Sequence, residues 1–160
     1  MKRLETRSVV IGDNSFYIRP LPAFKAANIS GELATLVLPI LTGLAPMLGG
    51  VGADKGLLDI DIEDAAPTIS NAFTSLSGDK LEEILKLLLI AGQNISVQTA
   101  DSDKAVILTE DLANEIFCTE VQDMFKLAFE VIRINYNGFF SKLAAQFGPL
   151  TEAIKTPAAR

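Results

Sequence analysis

The stretch that most limits what this chain can fold into runs from Thr109 to Phe147, TEDLANEIFCTEVQDMFKLAFEVIRINYNGFFSKLAAQF, its longest run of helix-favouring residues. Thr109 suits a helix cap, and Glu110 and Asp111 place carboxylates at the positive end of the helix dipole; Gly138 suits the close of the longest helix. On a wheel at about 100° per residue, Thr119, Asp123, Lys126, Glu130, Arg133 and Asn137 fall in one narrow stripe, with Lys126 and Glu130 four apart. That stripe reads as the solvent side. The apolar positions around it cover an arc of roughly 220°, whereas a helix lying on one core needs little more than about 100°. Both flanks therefore need a cover: other helices of the same chain, a second subunit, or a client protein.

A chain of 160 residues suits one domain, large enough to bury about 70% of the surface its unfolded form exposes. We expect a single helical domain over residues 1–150, with a β-hairpin at about 6–19, and a frayed tail over 151–160. The net charge of −6 disfavours nucleic acid, which needs Lys and Arg concentrated on one face. There is no His, so the usual proton shuttle near neutral pH and the commonest metal ligand are missing. One Cys excludes an internal disulfide and a Cys-cluster zinc site.

Ser8 to Ile11 and Ser15 to Arg19 are rich in β-branched and aromatic residues and flank Gly12, Asp13 and Asn14, which predicts a hairpin. Pro20 and Pro22 end it. Its edge is also open to a partner strand. A helix follows from Ala23, with Ile29, Leu33, Leu36, Val37 and Ile40 at spacings of three and four, and Pro39 is expected to kink or stop it. Acidic residues ahead of Ile62 predict a helix over 62–76, in which Pro67 is tolerable only in the first turn. A further helix is expected over 81–91, opened by Asp79 and Glu82 at capping-box spacing and ended by Gly92. Ile95 to Thr99 and Ala105 to Leu108 leave room for a second short hairpin. The fold class is thus α+β, mostly α, with the N-terminal hairpin packed on a helical bundle.

Two membrane signals were weighed. MKRLETRS is basic like the start of a signal peptide, but Val9 to Ile11 is too short an apolar segment to follow it. Leu33 to Ala53 carries no charge over a length near the ~20 residues of a span. Pro39, Pro46 and the glycines at 43, 49, 50 and 52 argue against a continuous helix there.

The chemical motifs fail on inspection. GGVGADKG at 49–56 lacks the Gly before Lys and the Ser or Thr after it that a phosphate loop requires, and reads as a connection. An EF-hand counted from Asp59 would need Gly and Glu where Asp64 and Ser70 stand. Cys118 has no His to make it a thiolate, and reads as a small core residue. Glu82 with Glu83, and Glu110 with Asp111, are adjacent pairs that point to different sides of a helix. The expected catalytic, cofactor and metal sites are therefore none.

The runs LANEIFCTEVQDMFKLAFEVIRINYNGFFSKL and VVIGDNSFYIRPLPAFKAANISGEL together resemble the tail assembly chaperones of long-tailed bacteriophages. The likeness is carried by the order of hairpin and helices and by the EIFC, VQDMF and GFF pieces; Leu44 to Leu76 contributes little. It implies a non-enzymatic protein of the host bacterial cytoplasm that binds the tape-measure protein, and the tail-tube protein, before the tail is built, and that is not expected in the mature virion. No nucleic acid or membrane partner is implied, and a homo-oligomer stays open. Phe117, Phe125, Phe129, Ile132, Tyr136, Phe139 and Phe140 are the partner-binding candidates. Two other readings stand beside this one: a holin-like membrane-active protein resting on Leu33 to Ala53, and a minor structural component of the tail.

Overall fold

Strand β1 (Arg7–Ile11) turns back into β2 (Asn14–Ile18) as expected, through Gly12 at φ 62°, a left-handed conformation that glycine adopts without steric cost. The second hairpin also forms, from β3 (Ile95–Gln98) and β4 (Val106–Ile107). The two hairpins are one object. Phe16 faces Val97 and Ile18 faces Ile95 across an antiparallel β2–β3 pairing, giving a four-stranded sheet in the order β1-β2-β3-β4. A lone hairpin is marginal in water, and this pairing supplies the missing support. The computed structural model describes residues 5–44, backbone only from 34, and 61–136.

Helix α1 (Ala23–Leu44) continues through Pro39, so of the two outcomes expected there the helix does not stop. Helix α2 (Ile62–Thr74) is capped by Asp61, whose carboxylate accepts from the Glu63 amide at 2.8 Å. Pro67 is its sixth residue, not in the first turn. Both Pro67 and Glu63 are exposed, so water can take up the carbonyl that the missing amide leaves. Helix α3 (Gly78–Leu89) starts earlier than expected because Ser77, not Asp79, is the cap, accepting from the Lys80 amide at 3.3 Å.

The long helical run is interrupted. Thr109 caps α4 (Glu110–Ile116) as expected, accepting from the Leu112 amide at 3.2 Å, but the helix ends at Phe117. The Phe117 ring turns inward and stacks on Phe16 of the sheet, centroids 5.9 Å apart. Helix α5 then begins at 121 and is described to 136.

The sheet lays Phe16, Ile18, Ile95 and Val97, all with no exposed surface, over the helices. Helix α2 meets α5 through Phe73 stacked on Phe125 at 5.4 Å, and the Tyr136 hydroxyl donates to the Ala26 carbonyl of α1 at 2.5 Å. Every residue from 127 to 133 is buried. Of the three covers considered for α5, the chain's own elements are the one observed.

The polar stripe of α5 is not its solvent side, and this is a correction. Glu130 is 0% exposed and Arg133 6%; the guanidinium grips the carboxylate, with Nε 2.8 Å from Oε2, and lies 5.8 Å from the Phe129 ring centre. Lys126 reaches Glu63 of α2 at 3.0 Å and Asp123 at 3.3 Å. The stripe faces protein because its charges are paired, the condition under which burial of ions is tolerated.

Among the described residues no helix is long and apolar enough to cross a membrane. The 49–56 connection, the Gly138 stop, the 139–147 turn and the 151–160 tail lie outside the described residues.

Candidate functional site

Helix α3 repeats apolar residues at Leu81, Leu85 and Leu89, one to a turn, and so carries a straight apolar row along one side. Across from it stand Ala113 of α4 and, at the start of α5, Val121, Met124 and Phe125. Ala113 is too small to fill the gap between the helices. The result is a groove of about 290 Å³ lined by the leucines of α3, by Ala113, and by Val121, Met124 and Phe125 of α5. Val121 is 48% exposed, one of the few large apolar side chains that the described surface presents to water; Val10, Phe24, Val106 and Ile107 are the others.

The rim is ionic. Lys86 Nζ lies 2.7 Å from Glu82 Oε1 on its own helix and 3.2 Å from Glu110 Oε1 on α4, so one lysine ties the two helices together beside the opening. Its hydrogen bonds, to Glu82 first and Glu110 next, raise the Lys86 pKa, and the same bond from Lys86 lowers that of Glu82. Asn114 adds a neutral polar group. Cys118 is exposed in the turn after α4, not a core residue as expected. An apolar floor with a charged rim suits noncovalent capture of apolar side chains.

Of the seven partner-binding candidates, five lie among the described residues, and four of these are away from the groove. Phe117, Phe129, Ile132 and Tyr136 are between 0% and 7% exposed and belong to the core of the chain itself. Burial also pushes the Tyr136 phenol up to about 12. Phe125 is 6% exposed but borders the groove. Phe139 and Phe140 lie outside the described residues. Of the covers left open for the wide apolar arc, elements of the same chain, α1 and α2 among them, take up what is described of α5. The groove residues Leu81, Leu85, Val121 and Met124 are not among the partner-binding candidates, although the four-residue repeat on α3 is visible in the sequence.

Searches of curated proteins and of solved structures find no match. A family model described as phage tail assembly chaperone protein, TAC, matches residues 12–148, most of the chain from the β1–β2 turn onward. The chain therefore belongs to the phage tail assembly chaperone family.

Proposed function

We propose that this chain is a non-enzymatic chaperone that binds the tape-measure protein of its phage in the host cytoplasm, keeps it soluble, and leaves before the virion is complete. Tail-tube subunits are its second partner and displace it from the client as the tube forms. Family membership gives the role in tail assembly. The observation that carries the finer reading is the groove between α3, α4 and the start of α5: an apolar channel open to solvent where, among the described residues, the other large apolar side chains are mostly internal. A groove of this form takes the apolar stripe of an amphipathic helix, the helix-in-groove mode of recognition. Met124 adds adaptability, because an unbranched thioether repacks around different side chains.

Co-expression with the tape-measure protein from the same phage tests this. The client is expected to move from the pellet to the soluble fraction and to co-purify with the chaperone. A client equally soluble with and without this chain contradicts the reading. Protein analysis of purified virions is the second check, with the chain expected to be absent.

A further inference from the structure

The groove lies in an acidic field that its apolar lining does not require. Helices α3 and α4 carry Asp79, Glu82, Glu83, Glu110, Asp111 and Glu115 against two lysines, Lys80 and Lys86. Both lysines are already engaged: Lys80 with Glu32 of α1 and with Glu83 at 3.8 Å, and Lys86 with Glu82 and Glu110 at the rim. Of these, Glu82 and Glu110 line the groove itself, one on each helix, against the single Lys86 that they share. Low-dielectric walls focus such a field, and complementary charge raises association rates and fixes orientation.

We infer that the groove selects a basic amphipathic helix, one whose apolar stripe lies on Leu81, Leu85, Val121 and Met124 while flanking Lys or Arg residues meet Glu82 and Glu110. This rests on the reading of the groove as the client site. From Leu81 to Leu89 the α3 row is about 12 Å long at 1.5 Å per residue, room for about two turns of a guest helix and its anchors at i, i+3 or i+4, and i+7. At about 290 Å³ the groove is at the small end for drug-sized ligands and cofactors, and fits a few side chains presented by a helix. Lys86 then acts as a resident competitor. It occupies the two rim carboxylates when the groove is empty, and a guest Lys or Arg takes its place.

Three labelled synthetic 14-residue helical peptides with one leucine pattern, and with Lys, Gln or Glu at every polar position, separate the two layers of this reading by fluorescence anisotropy with the full chain. The Lys peptide is expected to bind at least about tenfold more tightly than the Gln peptide at low salt, with the gap closing as salt shortens the screening length to about 8–10 Å, and the Glu peptide is expected not to bind. Lys86→Gln should tighten the Lys peptide severalfold, and Glu82→Gln with Glu110→Gln should weaken it. Val121→Asp, at a half-exposed position, should weaken it at least about tenfold although it adds negative charge to the surface. Lys and Gln peptides that bind equally, both weakened by Val121→Asp, overturn the charge selection and leave the groove as the client site. A Lys peptide indifferent to Val121→Asp is held by diffuse acidity, and overturns both layers. So does a failure of all three peptides to bind.

Discussion

Glu130 and Arg133 on α5 show how differently two ion pairs one helical turn apart should behave. With Glu130 fully buried, Glu130→Ala leaves the guanidinium of Arg133 in the core without that carboxylate, a change that costs about 3–5 kcal/mol. Lys126→Ala removes pairs to Glu63, which is largely exposed, and to Asp123, and should cost less than Glu130→Ala because neither carboxylate is left fully buried. Urea denaturation of the two variants checks the contrast. A glycine makes a similar point through space. A methyl group on Gly92 would lie 2.7 Å from Leu21 Cδ2 and 3.0 Å from Asn94 Oδ1, so Gly92→Ala is expected to destabilise by about 1–3 kcal/mol through overpacking. On the wheel Glu130 and Arg133 looked solvated. A charge that is paired inside and a charge that is wet occupy identical positions in a periodic pattern, and only the neighbouring elements separate them.

For the helices, the readable features were the local ones. Thr109 and Asp61 act as caps because a short polar side chain can reach the free amides of its own first turn, a relation confined to a few residues. Thr109→Ala should lower stability by about 1 kcal/mol, measurable as a drop in thermal midpoint. The pairing of β2 with β3 was not readable, since Ile18 and Ile95 are brought together by the folding of everything between them. The break between α4 and α5 has the same origin: the stacking of Phe117 on Phe16 is a long-range contact that overrides local helix preference. The ion pair of Lys86 with Glu82 on α3 has a definite pH range. Glu82 has its pKa lowered from 4.5, so its contribution is present above about that pH and is lost as pH falls through the lower folded value. Lys86 has its pKa raised from 10.5, so its contribution is present below that pH and is lost as pH rises through the higher folded value. The melting temperatures of the wild type and of Lys86→Met should therefore differ most between these limits and converge in acid.

At the level of the whole molecule, the hairpin on a helical bundle was anticipated, and the four-stranded sheet extends that picture. The groove proposed as the client surface is not legible in the sequence, because it is made from three helices whose mutual placement no single helical pattern contains. Leu81 and Leu85 repeat visibly on α3, yet the repeat becomes a groove only when Ala113 leaves a gap and Val121 and Met124 complete the lining. On the proposed reading, residues 127–133 of α5 are the pillar of the fold, and only the start of that helix borders the groove. Phe129→Ala, at a fully buried site, should cost about 3–5 kcal/mol and act on client binding only through loss of the fold. Val121→Asp should spare the fold and abolish client capture.

Amide hydrogen exchange of the chain, alone and saturated with the tape-measure protein, tests this division most directly. In the free chain, residues 127–133 of α5 should already be among the slowest to exchange; on binding, new protection should appear along α3 and α4 and at the start of α5. Rapid exchange through 127–133 in the free chain, or new protection confined to β1, β4 or α1, would contradict it.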